Sequence, residues 1–281
     1  MKSGLILEGG AMRGMFTAGV MDVCMENGIQ FDGAVGVSAG AAFGCNYKSR
    51  QIGRVIRYNM RFCADKRYSG LHSLITSGNI YNTDFCYREV PLEHDPFDFE
   101  TYQKDPMEFY VVCTDVETGK PVYKRFEGIP EEGFDWIRAS ASMPIVSQIV
   151  EIDGLKMLDG GISDSVPIKF FEQLGYDRNV VILTQPKNYV KKKNSLIPLM
   201  RLMYRKYPKL VDTMENRHRV YNETLAYISA KERAGKLLVI RPEEKLQISK
   251  IEKDPQKLKQ IYDIGRKTAE ARLEQIRMFL R

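Results

Sequence analysis

The stretch FDGAVGVSAGAAFG, residues 31–44, holds a single serine, Ser38, between Gly36 and Gly40 at the end of a short apolar run. A serine hydroxyl becomes a useful nucleophile only when a base takes its proton and donors stabilise the oxyanion its attack creates. Flanking glycines suit a sharp strand-to-helix turn that exposes Oγ, and a helix N-terminus behind the serine favours developing negative charge. The same pattern also fits an ordinary glycine-rich loop, so the base and the oxyanion site must be found elsewhere in the chain.

Residues 8–14, EGGAMRG, offer the oxyanion site through Gly9, Gly10, Ala11, Arg13 and Gly14. A dinucleotide fingerprint would need glycine at position 11, where the Ala11 methyl group obstructs a pyrophosphate. A Walker loop is excluded because no Gly-Lys-Ser/Thr follows. What remains is a nest of backbone N–H groups that can hold an oxyanion, with Arg13 as a nearby positive charge.

Four residues compete as the base. His72 and His94 lie in a polar middle region, and His218 lies in the charged helical run MENRHRVYNE. The order Ser38, Asp159, His218 mimics that of α/β-hydrolases, but that fold sets its serine after more strands and its histidine on a loop. Asp159, in LKMLDGGISDSVPI, follows an alternating strand pattern, and Gly160 and Gly161 let backbone approach closely. An ordinary Asp-Gly turn explains the same residues. A free aspartate is a weak base, so this role predicts a partly desolvated Asp159 within hydrogen-bond reach of Ser38.

The elements that would position these groups follow from periodicity. Residues 4–8 read as a buried strand followed by a helix through Met15, Ala18, Val20 and Val23, and residues 34–37 as a second strand followed by a helix of small residues. Strand, helix, strand, helix is the signature of a parallel sheet with crossovers, in which ligands bind outside the carboxyl ends of the strands. Residues 54–96 read as mostly polar with short helical patches. A strand pair turning at Thr118-Gly119, a helix stopped by Pro144, a hairpin at Asp153-Gly154, a short helix entered by Pro167 and ended by Gly175, and a buried strand RNVVILTQP complete an α/β pattern to residue 186. Helices over 196–215 and 219–234, a lone strand LLVIRP and a final helix from Pro255 follow. The expected organisation is thus an α/β domain over 1–186 with an α-rich C-terminal extension, 187–281, packed on it.

Composition narrows the class. The 281 residues are 43% hydrophobic and 28% charged, ordinary values for a globular chain, and no run approaches the roughly 18 apolar residues of a membrane span. The N-terminal apolar run is too short for a signal peptide, which makes the cytoplasm the expected compartment. Cys24, Cys45, Cys63, Cys86 and Cys113 lack any Cys-x-x-Cys spacing and read as reduced core thiols; no metal or cofactor is expected. The formal charge of +6 is unevenly spread: residues 187–209 carry eight Lys and Arg and no acid, interleaved with Leu, Ile, Met and Tyr. That segment is expected to be a solvated face or a peripheral contact with an anionic membrane surface. No nucleic-acid reading motif accompanies the charge.

Taken together, LILEGGAMRG, GVSAG and LDGGISDSVP resemble the oxyanion loop, serine elbow and Asp-Gly-Gly segment of the patatin-like phospholipase family; ASASMP and CTDVETG resemble stretches that accompany them. The resemblance covers residues 4–186. It implies a three-layer α/β/α fold with a mainly parallel sheet, and Ca²⁺-independent hydrolysis of phospholipid or lysophospholipid acyl esters by a Ser38–Asp159 dyad without histidine. It further implies an oxyanion hole from Gly9, Gly10 and Ala11 supported by Arg13, with Gly14, Gly36, Gly40, Gly160 and Gly161 as motif glycines. Two positions depart from the family. Ala11 stands where a third glycine is usual, which strains the loop if that position needs positive φ, and Asp164-Ser165-Val166-Pro167 replaces a segment that usually carries asparagine. A lipid-binding protein with little turnover and a small-ester esterase or thioesterase are the alternative functions.

Overall fold

Short apolar runs without alternation are what a parallel sheet covered on both faces demands of its strands, and the first two runs of this chain form such strands. The structure is a computed structural model that describes residues 1–128 and 134–281. Strand β1 (Lys2–Leu7) passes through a tight turn at Ala11–Arg13 into helix α1 (Gly14–Glu26), and β2 (Gly33–Val37) turns directly into α2 (Ala39–Lys48). Helices α3 (Arg54–Phe62) and α4 (Leu71–Ser77), a π-helical stretch (Phe85–His94) and α5 (Phe99–Lys104) fill the crossover to β3 (Glu108–Asp115), which folds back as β4 (Pro121–Arg125). Then come α6 (Asp135–Ser140), the hairpin β5 (Val150–Ile152) and β6 (Leu155–Asp159), α7 (Ile168–Gln173) and β7 (Tyr176–Ile182). The chain ends with α8 (Ile197–Met203), α9 (Pro208–Arg233), β8 (Leu237–Ile240), α10 (Pro255–Ala271) and α11 (Leu273–Leu280).

The strands form one sheet in the order β5-β6-β3-β2-β1-β7-β8, with β4 also paired to β3. From β3 to β8 all neighbours on that path are parallel, and the hairpin strands β4, β5 and β6 are antiparallel to their partners. Alternate residues of each strand enter opposite cores. Leu5, Leu7, Ala34 and Val180 pack against α1, α2 and α10, while Ile6, Val35, Val37 and Val181 pack against α7 and α9. The result is the three-layer α/β/α arrangement expected from the sequence.

Beyond residue 186 the chain enters the same architecture. Strand β8 pairs with β7 from Asn179↔Leu237 to Ile182↔Ile240. Helix α10 crosses α1 at two glycines: a Cβ on Gly19 would stand 2.1 Å from Tyr262 O, and one on Gly265 would stand 2.1 Å from Phe16 O. Backbones this close leave no room for any side chain, so α10 is seated directly on α1.

Two helix boundaries differ from expectation. Helix α6 ends at Ser140, short of Pro144, and the Ser142 carbonyl beyond it accepts from Asp159 N of β6. The helical sequence after residue 195 breaks at Tyr204–Tyr207, where Pro208 opens α9, and not at the polar residues 216–218. Polar residues do not end a helix; α9 continues through them because no Gly or Pro occurs between Lys209 and Ala234. All five cysteines are free, and burial pushes the Cys24 and Cys45 thiols up to about 12, which leaves them inert. Among the described residues, no helix is long and apolar enough to cross a membrane.

Candidate active site

The site begins with an unusual division of one strand edge. One edge of β3 is taken by β4, from Tyr110↔Arg125 to Thr114↔Pro121. The other is shared: parallel β2 occupies it as far as Val37↔Val112, and antiparallel β6 occupies it from Cys113↔Asp159 onward. Strands β2 and β6 therefore run toward each other and meet end to end. Asp159 closes β6, and Ser38 follows the last residue of β2.

The chain leaves that junction sharply. Ser38 has φ 55° and ψ −121°, a conformation that costs an L-residue about 1–3 kcal/mol and survives only where packing enforces it. The enforcement is close backbone contact: a Cβ on Gly36 would stand 2.3 Å from Gly40 O, and one on Gly40 would stand 2.4 Å from Leu7 O. Ser140 then ties the elbow to the sheet, since its Oγ accepts from Ser38 N at 2.9 Å and donates to Val112 O at 2.6 Å. Asp159 is anchored similarly, through its N–H to Ser142 O at 2.8 Å and its carbonyl to Thr114 Oγ1 at 2.9 Å. A Cβ on Gly160 would stand 2.1 Å from Val112 O, so the chain can leave β6 this close to β3 only without a side chain.

The glycine loop after β1 lies against the elbow. A Cβ on Gly9 would stand 2.9 Å from Val37 O and 3.0 Å from Ser38 Cβ; one on Gly10 would stand 2.7 Å from Thr184 Oγ1. The Glu8 carboxylate fixes the loop's root, accepting from Thr184 N at 2.6 Å and from the Tyr221 hydroxyl at 2.5 Å. Ala11 has φ 47°, the positive value its position demands, at a cost of about 1 kcal/mol relative to glycine. Arg13 Nε donates to Thr184 Oγ1 at 3.4 Å. Among the described residues no acceptor takes the N–H of Gly9, Gly10 or Ala11. Gly14 sits apart from this cavity and lets α1 lie against the Phe43 ring of α2.

Gly9, Gly10, Ala11, Arg13, Ser38, Asp159 and Gly161 line a single cavity. Asp159 is 6% exposed, and its Oδ1 accepts from Gly161 N at 2.7 Å. Burial raises its pKa above the ordinary carboxylate value, opposed by the Arg217 charge, by the neighbouring Ser38 side chain and by the hydrogen bond from Gly161 N–H. None of the three histidines lines the cavities at Ser38. His218 Nδ1 faces the Glu215 carbonyl, His94 packs between Phe62 and Phe85, and His72 is exposed on α4.

Two chambers open from Ser38. One is apolar, lined by Phe43, Tyr58, Tyr68, Tyr87, Val90 and Ile137; the other is polar and holds Arg13, Lys191, Arg217 and Lys250. The first draws Tyr58, Tyr68, Tyr81, Tyr87 and Val90 from residues 54–96, read from sequence as mostly polar. The overlooked signal was the aromatic content of that segment: Phe62, Tyr68, Tyr81 and Phe85 fold into one aromatic cluster. Lys191, Arg217 and Lys250 carried no motif. Lys191 belongs to the basic segment, yet its side chain lies over the Tyr221 ring at 4.4 Å beside the site.

Comparison with known proteins follows the same lines. A family profile described as Patatin-like phospholipase matches residues 5–171, and one described as Domain of unknown function (DUF6363) matches residues 207–281. The uncharacterized protein YjjU of Escherichia coli is 32% identical over 191 residues, which cover 65% of this chain and 52% of that protein. Lysophospholipase nte1 of Aspergillus terreus is 27% identical over 189 residues, which cover 62% of this chain and 11% of that protein. The matched part is thus about half of the first relative and about a tenth of the second. Among solved structures, VipD from Legionella pneumophila aligns with a TM-score of 0.48 at 12% identity, covering 98% of this chain and 67% of that one.

Two outcomes follow from the geometry. Ser140→Ala leaves the Ser38 N–H and the Val112 carbonyl unpaired, and is expected to cost about 1–3 kcal/mol in thermal or urea unfolding; wild-type stability in that variant would refute the tie. Because the raised pKa keeps Asp159 protonated to higher pH, any reaction using it as a base should lose kcat/KM as pH falls, with the acid limb above about 4. An acid limb at or below the ordinary carboxylate value would contradict the desolvated environment.

Proposed function

The chain belongs to the patatin-like phospholipase family, and on that premise we propose that it hydrolyses acyl esters of phospholipids or lysophospholipids, with Ser38 as nucleophile and Asp159 as base. The observation that carries the reading is the end-to-end meeting of β2 and β6 on β3, with Ser38 and Asp159 lining one cavity. Lysophospholipase relatives support a lipid substrate.

Ser38 Oγ attacks the acyl carbonyl carbon while its proton passes to the Asp159 carboxylate. The carbonyl oxygen, now an anion, accepts hydrogen bonds from the free N–H groups of Gly9, Gly10 and Ala11, with Arg13 supplying positive charge nearby. Donors already oriented by packing need not reorganise as charge develops, and each is worth about 3–4 kcal/mol in such sites. Collapse of the tetrahedral intermediate breaks the ester C–O bond, and the leaving alkoxide takes the proton from Asp159. Water, deprotonated by Asp159, then attacks the acyl-Ser38 carbonyl and releases the fatty acid and the free serine. The apolar chamber supports a long acyl chain over a small ester, since burial stabilises by about 0.8 kcal/mol per methylene.

In the full chain, a fluorophosphonate probe is expected to label Ser38. Ser38→Ala and Asp159→Asn are each expected to reduce lysophospholipid hydrolysis at least about 10⁴-fold, the scale of losing a triad member, with His218→Ala retaining it. Folded protein that neither labels nor hydrolyses would make this a lipid-binding protein, and loss of activity in the histidine variant alone would restore a triad.

Membrane contact is a second part of the proposal. Lys193 and Arg201 pair with Glu215 at 2.7 and 2.5 Å, whereas Lys192, Arg205, Lys206 and Lys209 are exposed beside Leu199, Leu202 and Met203 on or next to α8. This mixture supports docking on an anionic lipid surface, with about 1 kcal/mol for each basic residue near it. Sedimentation with phosphatidylglycerol vesicles should exceed that with phosphatidylcholine vesicles and fall in Leu202→Glu; equal binding to both vesicles would sink the electrostatic contact.

A further inference from the structure

The polar chamber beside Ser38 gathers four cations from four separate segments: Arg13 after β1, Lys191 after β7, Arg217 on α9 and Lys250 after β8. Among the described residues none of them is salt-bridged. Arg13 donates to a hydroxyl, Lys191 lies over an aromatic ring, and the buried Nε of Arg217 has no partner. Arg217 is also held against the loop of the base, where a Cβ on Gly161 would stand 3.0 Å from its Nη2. Gln185, 7% exposed in the same wall, has a buried Oε1 without a donor.

Among the described residues two carboxylates, Glu8 and Asp159, line this chamber, and both are engaged. Glu8 accepts from Thr184 and Tyr221, and Asp159 accepts from Gly161 N–H. Four cations against two carboxylates leave a surplus of two positive charges in a half-enclosed chamber. The crowding is felt by Lys191, whose pKa is lowered to about 8 by burial and by Arg217, Arg13 and Lys250, with Glu8 opposing. Like charges gathered this way are stabilised by an anion that accepts hydrogen bonds from several of them at once.

Such an anion has a defined relation to the apolar chamber, because Ser38, Ala11 and Met143 line both. A molecule spanning the two would set a hydrocarbon chain on one side of Ser38, an ester at it, and a negative group on the other. We propose that the Arg13–Lys191–Arg217–Lys250 basin binds the phosphate of a head group, selecting acyl glycerol phosphates that end in a phosphate monoester. A phosphate monoester carries about −1.5 to −2 at neutral pH, which matches the surplus. A phosphocholine head brings its own cation into a basin of cations, and a monoacylglycerol brings no charge. The inference rests on the acyl-hydrolase reading of Ser38 and adds the head group to it.

Binding to the full-length Ser38→Ala protein, which has no nucleophile, separates the two readings. Calorimetric titration would use monoacylglycerol phosphate, its phosphocholine analogue and the parent monoacylglycerol, all with one acyl chain and below their micellar concentrations. The phosphate monoester is expected to bind most tightly, with a dissociation constant at least about tenfold below that of monoacylglycerol, the scale of a hydrogen bond to a charged group. Lys191→Gln with Arg217→Gln is expected to collapse that ratio. Lys250→Gln, at an exposed position, should lower it without a packing change. Raising the pH from 7 to 9 should also lower it, as Lys191 loses its proton. Inorganic phosphate should compete with the phosphate lipid only weakly. Equal affinity for all three lipids would overturn the proposal, and inorganic phosphate binding as tightly as the phosphate lipid would make this a site for the free ion. Neither result bears on whether wild-type protein hydrolyses esters, and absent hydrolysis would leave this binding order intact.

Discussion

The shared edge of β3 is the constraint on which the rest of the site depends. A strand edge offers one row of N–H and C=O groups, and here two strands divide it at the step from Val112 to Cys113. Because β2 is parallel and β6 antiparallel to β3, the residues that meet at the division are both C-terminal ends. Those ends are where chains leave a sheet, so Ser38 and the segment after Asp159 turn out of its plane at one point. The junction also leaves the Val112 carbonyl without a strand partner, and a buried carbonyl needs a donor. Ser140 supplies it and, with its other capacity, holds the Ser38 N–H. One hydroxyl thus closes the gap between two strands and steadies the strained residue beside it.

Strain and close packing are concentrated around that point. Ser38 and Ala11 both adopt positive φ, and the Gly9 backbone lies between them in contact with Val37 and Ser38. Neither conformation is favourable for an L-residue; the surrounding sheet and helices hold both. Gly36 and Gly40 allow α2 to begin directly over the β1 backbone, which aims the first turn of α2 at the site. These contacts explain why the motif needs glycine on both sides of the serine: each glycine is pressed against a carbonyl oxygen at a distance no Cβ tolerates.

Electrostatics adds a second asymmetry. Burial raises the pKa of Asp159, and the Arg217 charge and the Gly161 N–H oppose that rise. Arg217 is on α9, and the Tyr221 hydroxyl that holds Glu8 lies one turn further along the same helix. Both lie beyond residue 171, where the match to the Patatin-like phospholipase profile ends, and within the stretch matched by the profile of unknown function. The apolar chamber is lined by α2, α6 and the crossover between α2 and β3, and the charged one draws Lys191, Arg217 and Lys250 from the C-terminal third. Each end of the proposed substrate therefore meets a different part of the chain, with Ser38 where the two chambers join.

The sequence by itself determined the local grammar. Apolar runs, Gly-Gly breaks and Pro-started helices fixed where β1, β2, β7 and their helices begin, because those signals act within a few residues. Ser38, the Gly9–Ala11 loop and Asp159 were legible for the same reason: each needs particular neighbours in the chain. Ala11 could be flagged as anomalous, and its positive φ bears that out. Tertiary structure alone decided what meets what. No local pattern reveals that β6 continues the edge β2 leaves, that Ser140 bridges them, or that tyrosines scattered through residues 54–96 face one chamber. Nor does any spacing announce Lys191, Arg217 and Lys250. Long-range pairing depends on strand order and helix crossing, set by the packing of the whole sheet, whereas motifs depend on backbone conformations that neighbouring residues impose.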